Sequence, residues 1–373
     1  MRILFIRANP VNPDSRVEKE VNALFKHGYD VFVLGWDRSS DYPLKKESLN
    51  SELNLIPAYR VGIKSSYGSG IKNLKYLYRF QKVIRSFLKK NKFDVIHACD
   101  FDTAFTAYHS INHKSTKFVY DIFDYYADSF SIPTLLRKPV IFFDRKIINK
   151  ADLDIICTEQ RRLQIAGSKP KNLIVIHNCP PRSLVHESYK HNAHPIRVAY
   201  FGILSASRLI KEMIEVIVEN PKYELHIGGF GVLEEYIKDV ASKNKNIVFY
   251  GKVSYQDVIK IENQSDILTA IYDPEVKNHK FAAPNKFYEA LMLGKPVIMA
   301  KHTGMSDIVE KHNIGTTIEF SKNGFKEGLD SLVEKQSEWA QMSQRMIQLY
   351  NDEYSWEEME KRLISAYERI ERG

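Results

Sequence analysis

Strand-like and helix-like segments alternate along almost the whole chain, and the alternation is run through twice. In the first half ILFIR, YDVFVLGW, DVIHACD, KFVYDIFD, LDIICTE and LIVIHN read as short strands. SRVEKEVNALFKHG, closed by Gly28, and KNLKYLYRFQKVIRSFLKKN read as helices between them. The grammar restarts at residue 196, where strands IRVAYFG, YELHIGG, NIVFYG and DILTAIY alternate with helices over 207–220, 231–243 and 254–264. Strands alternating with helices imply an α/β fold with parallel, doubly wound sheets. A chain of 373 residues is too long for one ordinary core. Two Rossmann-like domains are therefore expected, over residues 1–180 and 196–352. The stretch from Cys179 to Pro195 has three prolines and no periodicity, so the linker is placed at 181–195. A last helix, expected within 353–373, puts Trp356, Met359, Leu363, Tyr367 and Ile370 on one face.

The composition is that of a globular chain, 44% hydrophobic and 27% charged. No apolar run approaches the roughly eighteen residues of a membrane span. The opening MRILFIRANP turns polar too soon for a signal peptide, and three distant cysteines (Cys99, Cys157, Cys179) show no metal-like spacing. A reduced, cytoplasmic protein is the expectation. The net charge of +8 is uneven. Residues 1–180 hold 29 Lys and Arg against 18 Asp and Glu, so the basic excess belongs to the first half and suggests a polyanionic partner.

The most informative segment is FAAPNKFYEALMLGKPVIMAKHTGMSDIVEKHNIG, residues 281–315. A Pro-Asn turn opens an apolar helix with Glu289 in its second turn, Gly294 ends it, VIMA follows as a buried strand, and the turn His302-Thr303-Gly304 starts another helix. Strand-turn-helix units of this kind gather unpaired backbone N–H groups at one sheet edge, which suits phosphate and ribose. The segment resembles the donor-binding signature of retaining, family 4 nucleotide-sugar glycosyltransferases of the GT-B fold. That resemblance implies two Rossmann-like domains facing a cleft, with the last helix crossing back onto the first domain. It extends to the Gly-rich turn IGGFG and to the order of the pieces over nearly the whole chain.

The resemblance assigns residues one by one. Glu289 matches the later of two family glutamates and would hold the donor ribose, while Phe281 occupies the place of the earlier one. Pro284, Asn285 and Lys286 fit family variants reading Pro-x-Lys, and Asp307 fills an acidic position. Gly202 and Gly229 are the glycine-turn positions. Arg208, six residues after Gly202, matches a family lysine; Ile203 stands where the family has an arginine. A cation at 208 would stabilise the growing charge of a nucleoside diphosphate leaving group without a metal. Lys286 either pairs with Glu289 at i,i+3 or touches diphosphate or sugar. Arg16, in a Ser-Arg-Val variant of the family's Gly-Gly loop, could reach an acceptor or a phosphate, with Asp14 or Ser15 as the helix cap. Asp121 and Asp124 fall beside a family histidine position, here Phe123, and Asp124 is the best carboxylate for orienting an acceptor hydroxyl. The triplet Asp100-Phe101-Asp102 resembles a metal motif of the other glycosyltransferase fold but sits where this fold caps a strand. No metal or cofactor is therefore expected, and His97 reads as a packed core residue.

The helix 71–92 mixes many Lys and Arg with Leu, Ile, Tyr and Phe. Lys82, Arg85, Lys89 and Lys90 would face an anionic membrane surface, with Leu77, Phe80 and Phe87 entering the head-group layer. No nucleic-acid reading module stands out. The expected protein is a metal-independent retaining glycosyltransferase acting on a nucleotide-sugar and a saccharide acceptor, plausibly lipid-linked, in surface-polysaccharide assembly. A nucleotide-sugar epimerase and a degenerate binding scaffold are the alternatives; Phe281, Ile203 and Phe123 speak for the scaffold.

Overall fold

The structure, a computed structural model, describes residues 1–49, 56–66, 73–129, 132–184 and 195–372. Two compact units emerge: Met1–Ile176 together with Glu360–Gly373, and His177–Met359. The expected linker therefore opens the second unit, and its residues 185–194 lie outside the described residues.

The first unit runs β1 (Arg2–Arg7), α1 (Ser15–Lys26), β2 (Asp30–Asp37), β3 (Tyr42–Ser48), β4 (Pro57–Gly62), α2 (Leu74–Lys90) and β5 (Val95–Cys99). It continues with α3 (Phe101–Tyr108), β6 (Lys117–Ile122), α4 (Tyr126–Ser129), α5 (Thr134–Ile148), β7 (Leu153–Ile156) and β8 (Leu173–Val175). Its eight strands lie in the order β3-β4-β2-β1-β5-β6-β7-β8. All pair in parallel except the edge strand β3, which is antiparallel to β4. Strand β3 escapes the sequence pattern because its side chains are mostly exposed and no apolar alternation marks it. The eight residues of α3 are too few to show a period.

The connections β4 to β5, β5 to β6 and β6 to β7 step in one direction along the sheet, and β1 to β2 in the other. Right-handed crossovers then put α2, α3 and α5 on one face and α1 on the opposite face. The core under the first face contains Phe80, Ile84 and Phe87 of α2, Phe101 and Ala104 of α3, and Ile147 and Ile148 of α5. The Asp14 carboxylate caps α1 by accepting from the Val17 N–H.

The second unit runs β9 (Ile196–Ile203), α6 (Ile210–Val218), β10 (Tyr223–Phe230), α7 (Glu234–Lys243), β11 (Ile247–Phe249), α8 (Tyr255–Asn263) and β12 (Ile267–Thr269). Then follow α9 (Asn285–Leu293), β13 (Val297–Ala300), α10 (Ser306–His312), β14 (Gly315–Ile318), α11 (Lys322–Glu334) and α12 (Trp339–Leu349). Its six parallel strands lie in the order β11-β10-β9-β12-β13-β14, so the chain changes direction between β9 and β12. The last helix, α13 (Trp356–Arg372), starts in this unit and ends in the first. There Leu363, Ala366 and Tyr367 are buried, and the Tyr367 hydroxyl lies 2.7 Å from His97 Nδ1. His97 is fully buried and stacked on Phe5, a packed core residue. No helix among the described residues is long and apolar enough to cross a membrane.

Candidate active site

Open parallel sheets bind ligands outside the carboxyl ends of their strands, where the winding reverses. In the second unit that place lies beyond β9 and β12. The last residue but one of strand β9 is Gly202, whose φ of +153° favours glycine. A Cβ there would come within 2.8 Å of Lys286 Nζ, so the missing side chain leaves the ammonium room against the backbone. Gly229 plays the companion role on β10: its Cβ would lie 1.8 Å from the Gly202 carbonyl oxygen. Helix α9 projects Lys286 and Glu289 toward this edge. Pro284 occupies the cap position, Asn285 begins the helix, and Gly294 closes it in the left-handed conformation.

Glu289 is buried within an otherwise apolar stretch, and its Oε1 accepts from the Tyr255 hydroxyl at 2.9 Å. A second buried carboxylate, Glu262 of α8, stands nearby; burial, then the charge of Glu289, pushes its pKa well up. A second negative charge beside Glu289 is thus disfavoured. Burial opposes the charge of Lys286, yet Tyr200, Tyr272, Glu289 and Glu262 hold its pKa above the ordinary value. Its ammonium lies 5.2 Å from the Tyr200 ring centre. Glu289, its i,i+3 neighbour on α9, acts on this ammonium through its charge.

Arg208 lies in the turn after β9. Its guanidinium stacks 3.8 Å from the Tyr272 ring centre and donates to the Ser207 carbonyl at 3.0 Å. It also reaches His279 Nε2 at 3.2 Å. His279 Nδ1 faces the Asp273 carbonyl at 2.8 Å, so Nδ1 carries the proton and Nε2 accepts from Arg208. Arg208 and Lys286 are thereby tied to one edge through Tyr200 and Tyr272, while Glu289 is held by Tyr255. Asp307 is exposed in the first turn of α10, and Asn285 accepts from the Asn178 side chain at 3.0 Å. Ile203 is exposed, and Phe281 ends a short 3-10 turn.

The chain matches the model of glycosyl transferases group 1 over residues 182–352, and that of glycosyltransferase family 4 over residues 16–180. This chain is a group 1 glycosyltransferase. No curated protein matches it by sequence. Among solved structures, sucrose-phosphate synthase from Thermosynechococcus elongatus is similar at 13% identity and a TM-score of 0.75, with 99% of each chain covered. The Anabaena protein Alr3699/HepE in complex with UDP-glucose is similar at 14% identity and a TM-score of 0.71, over 99% of this chain and 100% of that one. The lipopolysaccharide outer core galactosyltransferase WaaB follows at 14% identity and a TM-score of 0.63, over 98% and 100%. At these identities the likeness is one of fold, and that fold is GT-B.

In the first unit of this glycosyltransferase the expected residues gather at the carboxyl edge of β1, β5 and β6. Arg16 is buried and donates to Asp121 Oδ1 at 2.8 Å and to the Ile176 carbonyl at 2.5 Å; Glu20 lies 3.2 Å from its Nε. Arg16 and Asp121 thus face each other inside the unit, and Arg16 together with His97 lowers the pKa of Asp121 against burial. Asp124 is about half exposed and accepts from Arg161 at 2.9 Å.

Phe123, in the family's histidine position, has the guanidiniums of Arg7 at 4.2 Å and Arg16 at 4.7 Å from its ring centre. Asp100 is bonded by Arg7 and accepts from the backbone N–H groups of Phe123 at 3.0 Å and Asp124 at 3.2 Å. This carboxylate organises the loop after β6 rather than standing beside Asp102 toward a cation. Among the described residues His97, Cys99 and Asp121 cluster closely enough to hold a metal, but the Asp121 carboxylate is already engaged by Arg16.

A cavity of about 1180 Å³ opens beside the ends of β2 and β4, lined by Arg38, Lys64, Lys75 and Arg79 with Asp41 as its one carboxylate. Sequence reasoning missed Arg7, Tyr255, Glu262 and His279, and weighed Asp100 only as part of a metal-like triplet. For His279 a signal existed, since it stands two residues before the donor signature; the others belong to the site through tertiary contacts alone.

On α2 the expected cations Lys82, Arg85, Lys89 and Lys90 are exposed. Phe80 and Phe87 are not available to a lipid layer: both are buried in the core of the unit. The helix has used its apolar face on its own sheet, so that part of the expectation is corrected.

Proposed function

We propose that this glycosyltransferase moves a sugar from a nucleoside-diphosphate sugar, with retention and without a metal, to a saccharide acceptor held by the first unit. The observation that carries the donor half is the convergence of Lys286, Arg208 and Glu289 at the winding reversal of the second unit. Two fixed cations suit a diphosphate whose charge grows as the sugar leaves, and a buried carboxylate suits ribose hydroxyls. A UDP-sugar donor is supported by the UDP-glucose complex of the Anabaena relative. Gly202, Gly229, Pro284, Asn285 and Asp307 would shape the donor pocket.

Asp124 would orient the acceptor hydroxyl, with Arg16 and Asp121 bracing the loop behind it. The cation-lined cavity on the same unit favours an acceptor that carries phosphate, such as a lipid-linked saccharide in surface-polysaccharide assembly. The six exposed cations of α2 and the absence of any acidic residue from that helix support work at an anionic, cytoplasmic membrane face.

The test is transfer from UDP-sugars in EDTA. Activity should persist, and Arg208→Ala should lower kcat more than it raises donor KM, because the leaving-group charge is greatest in the transition state. Loss in EDTA restored by Mn²⁺ would refute the metal-free reading.

A further inference from the structure

Helix α5 exposes a ridge of large apolar residues that the described residues of its own unit leave uncovered. Leu135 is 87% exposed, Phe142 64% and Leu136 44%. Pro139 is exposed between them. At 100° per residue Leu135, Pro139 and Phe142 fall on one side of the helix, with Lys138 and Arg145 along one flank and Lys146 continuing the line. Val140, Ile141 and Phe143 pack toward the core, and Ile147 and Ile148 complete the buried face. The ridge is therefore additional to what the fold requires of this helix.

What covers the ridge can be read from charge. The single carboxylate of α5, Asp144, is buried under the helix and accepts from the Tyr120 hydroxyl. Its exposed charges are all positive. Helix α3 packs against both α5 and α2, and all three lie on one face of the sheet. Helix α2 has no acidic residue and exposes Lys75, Arg79, Lys82, Arg85, Lys89 and Lys90. Two copies of the chain pressed together through this face would oppose like charges on both sides, which disfavours self-association. An anionic lipid surface meets both halves of the pattern, apolar insertion and cation attraction.

We propose that α5 is the inserting element of a membrane-binding face, with Leu135, Pro139 and Phe142 entering the head-group layer while α2 supplies the electrostatic attraction. This rests on the membrane reading of α2 for its charged half, and its apolar half rests on α5 alone. The proposal relocates insertion from Phe80 and Phe87, which are core residues, to side chains that are free to insert.

The experiment is sedimentation of the full chain with vesicles of phosphatidylcholine alone and of phosphatidylcholine with phosphatidylglycerol, at low and high salt. Wild type should bind only the anionic vesicles, and less as salt rises. The double variant Leu135→Ser/Phe142→Ser changes only exposed positions and should weaken binding by about tenfold or more at every salt concentration. Phe142→Trp should show a blue-shifted, quencher-protected emission with anionic vesicles and none with neutral ones. Wild-type-like binding by the double variant, or an unshifted tryptophan on bound protein, overturns α5 as the inserting element. Full binding after Lys82→Glu/Arg85→Glu/Lys89→Glu/Lys90→Glu, with the α5 double variant still defective, overturns the α2 reading alone. Concentration-dependent self-association that the double variant removes, without vesicle binding, assigns the ridge to a second copy and overturns the proposal. UDP binding, measured in parallel, reports the donor site independently of all these outcomes.

Discussion

Glu289 and Glu262 are two buried glutamates of one unit with different partners, and the difference predicts different outcomes for the same substitution. Glu289 accepts from the Tyr255 hydroxyl and lies in the donor signature. Replacing it with Gln removes a charged acceptor, and hydrogen bonds to charged groups contribute roughly 1.5–3 kcal/mol. Calorimetry should therefore show Glu289→Gln binding UDP about tenfold or more weakly. At Glu262 burial, reinforced by the charge of Glu289, raises the pKa and disfavours a charge. Glu262→Gln replaces a carboxyl whose charge the site disfavours and should leave UDP affinity within about twofold. Equal losses in the two variants would show that the negative charge is shared between them. Glu289 was legible in the sequence because a carboxylate within FYEALML, followed by Gly-Lys-Pro-Val, is part of a spaced signature. Glu262 was not, because its neighbour is 27 positions away and only the packing of α8 on α9 brings the two together.

At the level of the element, α5 shows how one helix can be soluble-looking in sequence and unbalanced in structure. Its buried Asp144 is pushed up to about 7 by burial, against the hydrogen bond from Tyr120 and the charge of Arg145, with Asp100 adding to the rise. Asp154 is a further buried carboxylate that feels Asp144. A carboxyl whose folded pKa lies above its unfolded value keeps its proton longer when native. Its contribution is present below about pH 4 and is lost as pH rises toward 7. Three pKa units correspond to roughly 4 kcal/mol, an upper bound. Asp144→Asn keeps an acceptor for Tyr120 and cannot ionise. Thermal unfolding at pH 8 should show the variant more stable than wild type, with the two converging near pH 4. A constant offset at all pH values would mean that Asp144 does not titrate in this range. Two of the elements that the sequence reading does not name, β3 and α3, share a cause. Each is too short, or too exposed on its side-chain face, for apolar periodicity to mark it.

For the whole molecule, the end of the chain completes the first unit. Tyr367 is fully buried, its hydroxyl meets His97 Nδ1 at 2.7 Å, and its ring lies near Tyr29. Tyr367→Ala opens a cavity and strands a buried histidine, a loss of about 3–5 kcal/mol. Calorimetric unfolding should show a lowered transition for the first unit, while the second, marked by its stabilisation with UDP, holds its temperature. A uniform fall of both transitions would mean that the two units unfold as one. Much of this was written locally. The twofold run of strands and helices, the Gly-ended helix at 285–294 and the Trp356-to-Tyr367 face are patterns of period and spacing, and covalent neighbours are enough to specify them. Tertiary structure decided what neighbours along the chain cannot. It paired Arg16 with Asp121 across 105 positions, set Lys286 against Gly202, and withdrew Phe80 and Phe87 into the core while leaving Leu135 and Phe142 outside. The physical reason is that burial and charge pairing depend on which surfaces meet once the sheets have closed, and an amphipathic pattern names an apolar face without naming what it will touch.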